Sequence, residues 1–119
     1  MSENMSENAS EIVLVYTTWP DAQTAETAGA EAVAERLAAC ANVLAPMHSI
    51  YRWKGAVDRA QETPMLLKTT RALAGPLRDF LIGHHPYDLP AVVALDVVAD
   101  ASHGPFLDWV AEQTGPAEG

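Results

Sequence analysis

The sequence predicts an α+β domain whose elements run β-α-β-β-α-β and end on a trailing helix. Three observations carry this. EIVLVYTT (residues 11–18) and AVVALDVV (91–98) are apolar, β-branched runs without alternation, the pattern of strands covered on both faces. The stretches 21–40 and 71–83 place apolar residues at helical spacing. Between those two stretches, 41–70 reads as a hairpin with a glycine at its turn.

Pro20 and Asp21 end the first strand and open the first helix, with Asp21 suited to the positive end of the helix dipole. Its apolar stripe is Ala25, Ala28, Ala32, Val33, Leu37 and Cys40. Mostly alanine, it lets the helix lie close to whatever it covers, and Cys40 reads as a small buried hydrophobe rather than a reactive thiol. In ANVLAPMHSIYRWKG (41–55), Ser49, Tyr51 and Trp53 alternate with His48, Ile50 and Arg52, as a strand requires. Gly55 and Asp58 mark the turn, and QETPMLLKTT (61–70) returns. Pro46 and Pro64 place both arms at edges or bulges, because proline cannot donate to a ladder. The second helix carries Leu73, Leu77, Phe80 and Leu81 on one face, and Gly83 is placed to stop it. HHPYDLP (84–90) turns the chain into the last strand. Gly104 and Pro105 then open a short helix through Phe106, Leu107, Trp109 and Val110.

Two βαβ halves sharing one antiparallel sheet make a ferredoxin-like fold, with both long helices on one face. Tyr51 and Trp53 are then left on strands that a small monomer half exposes. Such strands invite partners, and a symmetric homo-oligomer is the simplest cover. The 119 residues fit one domain. Its expected extent is 11–114, between a polar, acidic tail at 1–10 with a repeated MSEN and a flexible end at 115–119.

The net charge of -9 argues against a nucleic-acid partner, which needs a basic face to displace counterions from phosphate. It equally disfavours an anionic membrane surface. No apolar run reaches the ~20 residues of a membrane span. The start lacks a basic and apolar leader, and the single cysteine makes no internal disulfide, so a cytoplasmic protein is expected. No nucleophile–base motif, phosphate-binding loop or dinucleotide fingerprint is present, so catalysis is not expected and no cofactor is required.

LAACAN (37–42), SIYRWKG (49–55), the E-x5-KT of Glu62 to Thr69, and HHPYDLP stand in the order and spacing of the CutA divalent-cation tolerance family. The resemblance covers about Ile12 to Gln113. It implies a ferredoxin-like protomer, a homotrimer built by strand edges pairing between subunits, binding of divalent copper (Cu2+), and a cytoplasmic role in metal tolerance. It also implies copper ligands: a cysteine late in the first strand and two adjacent histidines. The histidines fall on His84 and His85. The cysteine's place, counted back from Pro20 and Asp21, is held by Thr17, so the soft thiolate is missing and imidazole chemistry is left.

Two readings of HHPYDLP stand. As a metal site, His84 and His85 meet an ion, with Asp88 a possible further ligand. Adjacent residues make a poor chelating pair, so closure would need a second subunit. His48 and His103 join only if the fold brings them near. As a turn, His85 is extended because Pro86 follows it, His84 sits at the negative end of the helix dipole, and Tyr87 caps the core. Glu62 and Lys68 share one strand face, which points to a salt bridge or an intersubunit network. Tyr51, Trp53, Glu62, Lys68, Tyr87 and Trp109 are the expected residues of the cleft and interface between subunits. Two rival functions remain: a PII-like trimeric signalling module binding a small molecule between subunits, and a structural scaffold trimer whose copper binding is incidental. The short hairpin at Gly55 argues against the first.

Overall fold

The computed structural model describes residues 11–116. The stretches 1–10 and 117–119, assigned above to the tails, lie outside the described residues. The chain runs through β1 (Ile12–Trp19), α1 (Ala22–Ala34), β2 (Cys40–Val43) and β3 (Met47–Trp53). It continues through β4 (Ala56–Thr70), α2 (Arg71–His84), β5 (Val92–Asp96), a 3-10 turn at Ala99–Ala101 and α3 (Gly104–Glu112). The antiparallel sheet is ordered β2-β4-β1-β5, with β3 also on β4. That is the order of two interleaved βαβ halves.

Helix α1 starts where Asp21 Oδ1 accepts from the Thr24 amide at 2.8 Å, so Asp21 is the N-cap rather than a first-turn residue. That backbone bond, and a second from the Thr24 hydroxyl, hold the Asp21 carboxyl below the usual carboxylate range. Thr70 caps α2 in the same way through the Leu73 amide. Val13, Val15 and Trp19 of β1, with Met65 and Leu67 of β4, meet Ala25, Ala28 and Ala32 of α1 and Leu77 and Leu81 of α2. Each fully buried leucine here contributes ~1.5–3 kcal/mol relative to exposure. The alanine stripe does bring α1 down onto the sheet. At Gly29 an added Cβ would lie 2.8 Å from Met65 Sδ and 3.0 Å from Ala41 Cβ.

The helical stripe is shorter than its spacing implied. Helix α1 ends at Ala34 because Arg36 turns left-handed, with φ 61°. The Leu37 amide then bonds Ala32 O and the Arg36 amide bonds Val33 O, which is a Schellman closure with arginine where glycine is usual. The arginine has a second task. Its Nε donates to Gly115 O at 2.6 Å and its guanidinium reaches Glu112 O at 3.0 Å. These bonds tie the chain end to the helix end and offset the left-handed strain. Gly115 in turn donates its amide to Arg36 O at 2.9 Å. Cys40 therefore lies not on α1 but in β2, half-buried, opposite Lys68.

The hairpin also differs in detail. β2 and β3 lie in succession along one edge of β4, facing 65–68 and 56–62. Pro64 is not at an outer edge, since β1 and the β2 side flank it. Its carbonyl accepts from Leu44, just beyond β2. In an extended strand a residue's N and C=O point to one side, so the missing N–H falls in the gap between β2 and β3. The tip is a two-residue turn, Lys54 and Gly55, both at positive φ (51° and 83°), which is the type I′ geometry. Asp58 lies inside β4, opposite Tyr51.

The sheet is not covered on both faces within one subunit. Opposite the long helices, α3 sets Leu107 and Val110 against Ile12 and Ala39 at one end only. Val93 and Leu95 of β5 stay exposed on the remainder. Strand β1 pairs β4 only over 63–70, so β3 and β4 over 47–62 form a two-stranded arm. The arm carries Ile50 at 60% and Val57 at 62% exposure. A two-stranded ribbon is marginal in water by itself.

Candidate functional site

The two histidines at the end of α2 point to different surroundings. His84 is the last residue of α2, one place beyond Gly83. Its ring stacks on Phe80 at 4.2 Å. Nδ1 lies 2.9 Å from Phe80 O, so this nitrogen must carry the proton that the carbonyl accepts. Nε2 then faces Glu31 Oε2 of α1 at 3.3 Å. The ring is half-buried beside Thr24, Thr27 and Ala28.

His85 is extended, with φ -89° and ψ 138°, as the following Pro86 requires. It lies between Trp19, stacked at 4.2 Å, and Tyr87, tilted at 4.7 Å. The Tyr87 amide donates to Nδ1 at 3.1 Å. That bond fixes the tautomer, so Nε2 carries the proton and donates to Thr18 O at 2.7 Å. Both ring nitrogens are thus engaged. Trp19 is anchored from its other end, where Nε1 donates to Thr17 Oγ1 at 2.7 Å. The Thr17 hydroxyl donates to Met65 O at 3.1 Å and is fully buried. The position that the resemblance gives to a metal-binding cysteine is here the hub of a buried hydrogen-bond network.

A groove of about 660 Å³ opens on the other side of the 85–91 turn. Its floor is the sheet face carrying Tyr16, Tyr51 and Trp53, and its rim includes Tyr87, Asp88 and Leu89. The strand period of two explains the floor: Met47, Ser49, Tyr51 and Trp53 share one face and stand opposite Glu62, Ala60, Asp58 and Ala56. Burial pushes the Tyr87 phenol above its ordinary pKa, and the Glu62 carboxylate beside it adds to the shift.

The fold thus brings Tyr51, Trp53, Glu62, Tyr87 and Asp88 to one groove and leaves His84 in a separate pocket. Lys68 is elsewhere. Its Nζ donates to Asn42 Oδ1 at 2.8 Å and lies 5.5 Å from the Phe106 ring centre. The Glu62–Lys68 salt bridge expected within one strand does not form, because six residues of strand span about 20 Å. Trp109 stacks on Phe106 at 5.7 Å on α3. His48 lies on the arm opposite Gln61, and His103 precedes α3. Among the described residues no three His, Cys, Asp or Glu side chains converge to hold a metal ion. Sequence reasoning missed Glu31, Trp19 and the Thr18 carbonyl. Glu31 carries no sequence signal, since its link to His84 is made only when α1 and α2 pack side by side.

Comparison with known proteins places these features. The family model described as CutA1 divalent ion tolerance protein matches residues 13–113. The Divalent-cation tolerance protein CutA of Thermus thermophilus is 40% identical over 105 residues, covering 88% of this chain and 98% of that protein. The crystal structure of the Thermus thermophilus protein superposes with a TM-score of 0.83 at 38% identity, over 87% of this chain and 99% of that one. A structure described as the periplasmic divalent cation tolerance protein CutA from Archaeoglobus fulgidus matches with a TM-score of 0.80 at 29% identity, over 86% and 97%. With a family match from Val13 to Gln113 and the same sheet, helices and chain order as its solved relatives, this chain belongs to the CutA1 divalent ion tolerance family.

Proposed function

We propose that the protein works as a cytoplasmic homotrimer that binds divalent metal, copper(II) foremost, and so contributes to divalent-cation tolerance. The observation that carries the metal reading is His84. Its Nδ1–H is held by a backbone carbonyl, which leaves the Nε2 lone pair of the neutral ring beside the Glu31 carboxylate. A ring oriented through its other nitrogen is the usual arrangement of a metal-ligating histidine, and imidazole with carboxylate suits copper(II) or zinc. Two donors do not fill a copper shell, so water or a neighbouring subunit completes it. His85 fits an ion less well than His84. It has no lone pair to give unless the 85–87 corner opens, and Asp88 lies on the groove side.

The trimer is supported by two open strand edges at opposite sides of the sheet, β3 and β5, and by the exposed apolar arm. Pairing unlike edges is a heterologous contact, which must close into a ring to avoid a filament. Calorimetric titration with copper(II) in a weakly coordinating buffer tests the metal site, and light scattering tests the mass. His84→Ala and Glu31→Gln are each expected to weaken binding, while His85→Ala lowers stability more than affinity. Affinity indifferent to His84 refutes this site and favours a scaffold trimer, as does unchanged metal tolerance in cells carrying His84→Ala.

A further inference from the structure

We propose that the groove beneath the 85–91 turn is a binding site for a small organic cation of the alkylated ammonium class. The walls are aromatic: Tyr16 and Tyr51 on the floor, Trp53 toward the arm, Tyr87 at the rim. The negative faces of such rings attract a cation too weakly hydrated to prefer water, and several rings around one cation form a cage. Asp58, Glu62 and Asp88 supply the negative field, against Arg52 as the basic lining residue. Tyr51 and Trp53 are substantially exposed in this groove, so their faces are open to a ligand.

The arrangement also discriminates between kinds of cation. A hard or borderline metal ion needs several donor atoms converging at about 2.0–2.6 Å. The three carboxylates do not converge among the described residues. Asp58 and Glu62 are four residues apart along β4, and Asp88 comes from the turn across the groove. Spaced in this way, they suit a diffuse charge spread over a bulky headgroup. The volume of about 660 Å³ is within the range of small-molecule sites and far larger than a bare ion needs.

The site is independent of His84, so failure here leaves the metal reading intact, and the reverse holds. The test is calorimetric titration of the full chain with choline and with 3,3-dimethyl-1-butanol, its neutral carbon isostere of the same shape. Choline is expected to bind about tenfold or more tightly than the isostere, and its affinity to fall as salt rises. Glu62→Gln is expected to weaken choline without changing the isostere. Trp53→Leu is expected to weaken choline too, and Tyr87→Leu reads the same cage if the tryptophan change disturbs assembly. Equal affinity for the two compounds, no saturable binding of choline, or choline binding unmoved by both Glu62→Gln and Tyr87→Leu would each overturn the proposal.

Discussion

Replacing Thr17 by valine separates the packing of this residue from its hydrogen bonds. The side chains are close in volume, and the site is fully buried, so the change removes mainly the hydroxyl. Two bonds go: the donation to Met65 O at 3.1 Å, and the acceptance from Trp19 Nε1 at 2.7 Å. The second loss dominates. Trp19 is 0% exposed, so its N–H has no water to turn to. An orphaned buried donor costs about 1–3 kcal/mol. The extra methyl recovers roughly 0.8 kcal/mol by burial. A net loss of about 1–2 kcal/mol is expected. The assay is urea unfolding at one fixed protein concentration, since assembly makes the midpoint depend on concentration. A double-mutant cycle with Trp19→Phe isolates the bond, because that background has no donor to orphan. Thr17→Cys should fall between, as a thiol is a weak acceptor. If Thr17→Val costs the same with phenylalanine as with tryptophan at 19, the hydroxyl is not the hub described here.

Gly29→Ala gains helix propensity of about 1 kcal/mol but drives a methyl into Met65 and Ala41, so a net loss of about 1 kcal/mol should appear in thermal unfolding. Arg36→Ala keeps the left-handed backbone strained and removes both guanidinium bonds to the chain end. The Gly115 amide should then exchange with deuterium about tenfold faster. Trp53→Ala should shift the assembly toward monomer on dilution, and light scattering that finds the wild-type mass at every concentration removes its role as an anchor. The raised pKa of Tyr87 gives a signed pH effect. Its contribution is present below the ordinary phenol value of 10.0 and is lost as pH rises through the higher folded value, because the unfolded phenol releases its proton first. Tyr87→Phe should flatten that alkaline loss.

Much of the fold is legible in local chemistry. The periods of two and 3.6, the prolines and the caps set which segments are strand and which are helix, and those are short-range properties of the chain. The misses are equally physical. Spacing continues the α1 stripe to Leu37 and Cys40, but Arg36 ends the helix through bonds to Glu112 and Gly115, over seventy residues away. Pro64 reads as an edge residue, yet β4 keeps partners on both sides because two separate strands share one of its edges. The candidate site was named in part, since HHPYDLP and the alternating Tyr51 and Trp53 are visible as patterns. Which atoms face which is not a pattern. His84 meeting Glu31, and His85 held between Trp19 and Tyr87, depend on where two helices and a strand end come together. By itself the sequence determined the order of elements, the face each side chain takes on a strand, and the family. The tertiary structure alone decided that the paired histidines divide between two surroundings and that the aromatics gather with carboxylates in one groove, because those contacts join segments far apart in the chain.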